Sequence, residues 1–285
     1  MQPEHNARFV WLICSIAALG GLLFGYDWVV IGGAKPFYEL YFHLTSQNAI
    51  GWANSCALLG CLAGSIASGL LSDRWGRKKV LILSAFLFAV SSVLTGWAPA
   101  FTWFVVWRIT GGAAIGMASN VSPMYIAEVS PAELRGRMVS LNQLTIVIGI
   151  LVAQIANWLI ARPVPQGATS EFIRQSWNGQ YAWRWMFTAV AFPSVIFFVG
   201  ACFIPESPRW LARSADPKAG VTPWRTLLVP RLRKVLAIGV FLAVLQQWSG
   251  INVIFNYAEE IYRGAGYDVN GILFNIVITG ASDMA

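Results

Sequence analysis

Long apolar runs alternate with short polar connections along nearly the whole chain. About 20 apolar residues span the hydrocarbon core of a bilayer. The pattern therefore predicts membrane helices over residues 9–33, 50–71, 80–98, 101–122, 138–161, 183–204 and 235–262. An eighth begins near Gly271, and the chain reaches Ala285 before that segment could cross. The expected fold class is an all-α membrane protein. Residues 1–204 form a six-helix bundle, 205–234 a polar linker, and 235–285 the opening of a second set of helices.

The basic residues set an orientation. Arg8, Arg74, Arg77, Lys78, Lys79, Arg135, Arg137 and the seven Lys and Arg of 209–234 fall on one side of this helix scheme. Lys35, Arg162, Arg174, Arg184 and Arg263 fall on the other. Lys and Arg accumulate in cytoplasmic loops, so the N-terminus and the linker are expected inside, in an inner or plasma membrane. Composition agrees: mean hydropathy is +0.58 and only 12% of residues are charged, against about 25% in soluble domains. The net charge of +7 lies in connections between apolar runs rather than among aromatics, which argues against nucleic acid as a partner. The first run is too long for a signal-peptide core and has no small-residue cleavage site, so it is expected to remain as the first helix. Cys14, Cys56, Cys61 and Cys202 all lie in apolar stretches without metal or redox spacing and are expected to be small buried side chains. Trp97, Trp103, Trp158 and Trp183 near helix ends suit an interfacial belt.

Two charges interrupt the apolar pattern. Asp27 lies within WLICSIAALGGLLFGYDWVVIGGA and Arg108 within FTWFVVWRITGGAAIGMA. A charge near the bilayer centre costs upward of about 2.5 kcal/mol, so such residues face a cavity or each other and mark a solute path. Gly60 and Gly64 in the second helix, and Gly112 and Gly116 in the fourth, have the spacing of close helix packing. Among the intramembrane amides, Gln154 and Asn157 are expected to hydrogen-bond neighbouring helices. No nucleophile–base pair or metal-spaced cluster is present, and His5 and His43 are terminal and loop residues, so neither an enzyme nor a cofactor is expected.

Five motifs carry a resemblance. The loop GLLSDRWGRKK places Gly69, Asp73 and the cations Arg74, Arg77, Lys78 and Lys79 between helices two and three. Its G-x-x-x-D-R-x-G-R-K pattern resembles the signature loop of the major facilitator superfamily. RITGG from Arg108, PMYIAEVSPAELRGR over 123–137, PESPRWL over 205–211 and QQWSGIN over 246–252 are similar to motifs of its sugar porter family. The resemblance covers essentially the whole chain, in order and spacing. It implies a twelve-helix fold of two six-helix bundles, of which this chain holds the first and the opening of the second. Sugar would bind between the bundles and exchange sides by alternating access.

The resemblance also assigns roles. Sugar hydroxyls call for amides that both donate and accept, and a sugar ring face calls for an aromatic. The matching positions are Gln143, Gln246, Gln247 and Asn252, with Phe24 lining the same cavity. Asp27 occupies the position that holds aspartate in proton-coupled members and asparagine in facilitators. Protonating it would release Arg108 and couple proton uptake to helix movement. Asp73, Arg77, Glu128, Arg135, Glu206 and Arg209 match a cytoplasmic network that locks the inner side. The expected partners are a pentose or hexose, a proton, the lipid bilayer and a C-terminal half absent from this chain.

Three departures stand out. The linker after PESPRWL is short where the family carries a helical cytoplasmic domain, and Asn256 stands where many members have a tyrosine. The tail GASDMA breaks the apolar run expected of helix eight, as a C-terminal truncation would. Proton-coupled monosaccharide symport is the expected function. A non-transporting remnant and a carbohydrate sensor or facilitator are the alternatives.

Overall fold

The computed structural model describes residues 7–165, 168–215 and 229–250, with isolated positions at 261, 264, 265 and 278. The long helices are α1 (Ala7–Tyr41), α2 (Gln47–Trp75), α3 (Arg77–Gly96), α4 (Phe101–Val129) and α5 (Arg135–Ile160). A short α6 (Ser170–Gln175) and a wide π turn (Asn178–Ala182) lead into the sixth crossing, α7 (Trp183–Ala189) and α8 (Ala191–Phe203). Helices α9 (Pro208–Ala215) and α10 (Pro230–Trp248) follow. The predicted eighth helix and the second half of the predicted seventh lie outside the described residues.

Every predicted crossing from the first to the sixth is present, and α1, α2 and α4 run past their predicted ends. Hydropathy marks the hydrocarbon thickness, whereas backbone hydrogen bonding continues into the interface; α1 persists through Pro36, as membrane helices often do. The sixth crossing is broken at Val190, because Pro193 has no N–H to offer the carbonyl one turn earlier. Arg8–Tyr41, Gln47–Trp75, Arg77–Gly96, Arg135–Ile160 and Asn178–Phe203 are each long and apolar enough to cross a membrane. Helix α4 is diluted by Arg108 and its glycine, serine and asparagine residues. Leu62, Ile66, Leu70, Phe192 and Phe203 are all at least 60% exposed, a surface suited to lipid rather than water.

Helix α1 is the buried axis, packed against α4, α5 and the sixth crossing. Helices α2 and α4 form the other close pair. The two glycine motifs meet there as expected. A methyl group on Gly60 or Gly64 would strike the carbonyl of Ile109 or Ala113, and one on Gly112 or Gly116 would strike that of Ala57 or Cys61. Gly69 is different: it is exposed, and nothing lies near its Cα face, so close packing is not its role.

Two other expectations are corrected. Trp183 is fully buried rather than interfacial, its ring tilted against Tyr41 and edge-on to Phe42 and Phe104. Cys202 is exposed and Cys61 partly so, while Cys14 and Cys56 are buried. A lipid-facing side of a helix is as apolar as its core side, so hydropathy does not separate the two.

Arg184 ties the C-terminal end of α3 to the start of the sixth crossing. It is buried, its Nη1 donates to the carbonyls of Gly96 (3.0 Å) and Ala98 (3.5 Å), and its Nε donates to Gln180 O (2.9 Å). The guanidinium lies 4.5 Å from the Trp183 ring centroid and 4.6 Å from that of Tyr41. Arg184→Met keeps the volume but leaves those carbonyls unmet. We expect a stability loss of about 2 kcal/mol or more, measured by denaturation in detergent.

Candidate functional site

Asp27 and Arg108 come from helices whose other buried side chains are mostly apolar or small. Each is only 5% exposed. Arg108 Nη1 donates to both carboxylate oxygens of Asp27 at 2.9 Å, and the guanidinium sits 5.4 Å from the centroid of Phe187. Desolvating two charges is tolerable only when they pair closely, and removing one strands the other. The pair joins α1 to α4 through one charge-assisted contact inside the bundle.

Beside it, Phe24 and Trp28 stand one turn apart on α1 with ring centroids 6.0 Å apart, both half-buried. Gln143 is exposed on α5, on the helix face that seven- and four-residue steps carry on to Ile150 and Gln154. Gln246 and Gln247 lie in the last turn of α10 and are exposed, as is every described side chain from 232 to 249. Asn252 lies outside the described residues. Asn157 does bond a neighbouring helix, donating to Val30 O at 3.3 Å. Gln154 does not: it is 2% exposed, and both its amide atoms lack a partner among the described residues.

The residues expected on the cytoplasmic side form a connected network around Arg77, which is 7% exposed. Its Nε and Nη2 donate to Glu128 at 3.1 Å, and its Nη1 donates to Ser72 O (2.9 Å) and Asp73 (3.2 Å). Glu206 Oε1 accepts from the backbone N–H of Arg77 (2.9 Å), Lys78 (3.1 Å) and Ser207 (2.8 Å). The first two belong to the N-terminus of α3, where free N–H groups and the helix dipole favour an anion. Gly76, at φ +96°, makes this turn possible, and any Cβ there would also hit the Glu206 carboxylate. Arg135 instead donates from Nε to Ala127 O at 2.9 Å, and Arg209 is exposed and makes no ion pair among the described residues.

Three members were missed from sequence. Ser207 donates to Glu128, Trp210 Nε1 donates to Asp73 O (3.0 Å), and Arg213 pairs with Asp73 (3.5 Å). All lie in or just after PESPRWL; the three-residue spacing of Ser207, Trp210 and Arg213 was the available signal. Arg77→Leu strands Glu128, whose side chain is only 10% exposed. Breaking such a pair costs about 3–5 kcal/mol. We expect α9 to detach, seen as faster amide exchange over 205–215.

At the opposite end, Arg174 donates from Nε to Glu171 (3.0 Å) and its Nη1 lies 3.0 Å from the His43 ring nitrogen. Hydrogen bonds from Arg174, then Gln175, hold the Glu171 carboxyl below its usual range. His43, Glu171 and Arg174, with Glu39, Thr45 and Ser170, line a cavity of about 430 Å³.

The sequence matches the family described as "Sugar (and other) transporter" over residues 13–220 and 214–283. A glucose transport protein of Synechocystis sp. is 40% identical, over 98% of this chain and 65% of its own length. The D-xylose-proton symporter of Escherichia coli is 31% identical, over 100% and 66%. Among solved structures, a partially occluded inward-open conformation of the E. coli xylose transporter XylE superposes with a TM-score of 0.80 at 32% identity, covering 97% of this chain and 71% of that one. The chain spans about 65% of the length of the curated relatives it matches.

Proposed function

Because this chain belongs to the sugar (and other) transporter family, we propose that it serves proton-coupled monosaccharide transport by alternating access. The observation that carries the reading is the buried Asp27–Arg108 pair, with both carboxylate oxygens 2.9 Å from one guanidinium nitrogen inside the bundle. A facilitator needs no titratable group there; a symporter does. Relatives named as galactose-proton and D-xylose-proton symporters support the same chemistry.

In this reading Asp27 and Arg108 couple the proton. Phe24, Gln143, Gln246, Gln247 and Asn252 contact the sugar. Asp73, Arg77, Glu128, Arg135, Glu206 and Arg209 close the cytoplasmic side. Residues 1–204 are the first bundle, 205–234 the cytoplasmic linker and 235–285 the start of the second bundle. The protein sits in the cell membrane with its N-terminus inside, following the basic loops. The exposed surfaces of α10 and Gln143 support a further partner, a second bundle that closes the sugar site from the other side.

The test is uptake of labelled D-glucose, D-galactose and D-xylose into vesicles, with and without a separately expressed second bundle. We expect accumulation under an acid-outside gradient that a protonophore abolishes. Binding without accumulation in either preparation would replace symport with sensing, and the absence of binding would remove sugar altogether.

A further inference from the structure

Gln154 is buried at 2% exposure, yet its amide nitrogen and oxygen have no hydrogen-bond partner among the described residues. Nearly all buried polar groups in proteins are satisfied by protein or water. Inside a bilayer the penalty for an orphan is at its highest, because no solvent can replace the missing partner. Trp28 Nε1 and Arg108 Nε are buried and without a partner as well.

These groups share one depth. A methyl on Gly149 would meet Leu22 O and Tyr26 N, and Asn157 reaches Val30 O. Gln154 falls between those two contacts, so it is level with Asp27 and Trp28. It also lies on the Gln143 face of α5. Eleven residues separate the two glutamines, a rise of about 16 Å along the helix, which is more than a single sugar ring spans. Gln154 therefore cannot serve the same station as Gln143.

We infer that Gln154 and Trp28 form a second station on the transport path, level with the Asp27–Arg108 pair, that takes a hydroxyl-bearing guest: a sugar hydroxyl or an ordered water. An amide donates and accepts at once, as a hydroxyl does, and the indole N–H adds a donor. Phe24, stacked on Trp28, supplies an apolar surface beside them. This deepens the monosaccharide reading, on which only its sugar arm rests.

X-ray radiolytic hydroxyl-radical labelling, which marks residues next to bound water, tests the station together with calorimetric sugar binding by the full chain. The variants are Gln154→Leu and the conservative Gln154→Asn. Labelling of Trp28 that disappears in Gln154→Leu and is indifferent to D-xylose, D-galactose and D-glucose establishes water as the guest. Labelling suppressed by one of these sugars, with affinity about tenfold weaker in Gln154→Leu and largely restored in Gln154→Asn, establishes the sugar. An unlabelled Trp28, unchanged affinity and a higher melting temperature in Gln154→Leu would show a guestless amide and overturn the inference. If no sugar binds the wild-type chain, the transport reading falls while the labelling arm still decides the station.

Discussion

Replacing Asp27 with asparagine is expected to abolish uphill sugar accumulation while leaving sugar exchange across the membrane measurable. The amide keeps the shape of the carboxyl and can still accept from Arg108 Nη1, which now lies 2.9 Å from each carboxylate oxygen. What it cannot do is gain or lose a proton. With one proton per sugar, each unit of pH difference sustains about a tenfold concentration ratio; in Asp27→Asn that ratio should fall to unity at any gradient. Labelled-sugar counterflow, which needs no net proton movement, reports whether the variant still changes sides. Undiminished proton-driven accumulation would refute the coupling role. The variant also leaves the Arg108 charge uncompensated at 5% exposure, a cost of up to about 3–5 kcal/mol. A lower melting temperature is therefore expected alongside the transport defect, and Arg108→Gln in the same background should recover part of it.

The second large effect concerns the α2–α4 seam. Gly112→Val is expected to prevent the two helices from docking, because its Cβ would run into the Ala57 backbone, which has no rotamer to move aside. Overpacking against side chains costs about 1–3 kcal/mol; here the new side chain meets backbone, so the loss should exceed that range. Size-exclusion profiles of the fluorescently tagged variant in detergent should show little monodisperse protein. Gly69→Ala, on helix α2 of the same pair but exposed with open space around it, is the comparison. Alanine is the better helix former by about 1 kcal/mol, so this change should be neutral or slightly stabilising. Equal damage from both substitutions would mean the seam is not where the glycines act.

The two cases show how far residue patterns reach. The spacing of Gly60–Gly64 and Gly112–Gly116 correctly pointed to close packing, since only small residues let helix backbones touch. Gly69, exposed with open space beside it, is no such contact, because residue type alone does not say which side of a helix finds a neighbour. Asp27 and Arg108 were each conspicuous in the sequence as charges in apolar runs, and the structure joins them across 81 positions. The network around Arg77 was legible in its members Asp73, Arg77, Glu128 and Glu206. The use of Glu206 as a cap on α3 was not, because a capping contact depends on where a distant chain segment arrives.

Hydropathy by itself determined the number and placement of the first six crossings, and the all-α class with them. A bilayer imposes one thickness and forbids unsatisfied backbone, so apolar run length is enough to specify a spanning helix. Only the tertiary structure decided which side of each helix is core. Lipid accepts the same apolar side chains as the protein interior, and that choice falls to glycine contacts, ion pairs and amides whose partners are remote in sequence. Trp183, buried where an interfacial residue was expected, and Gln154, buried with no partner where a helix contact was expected, both follow from that one fact.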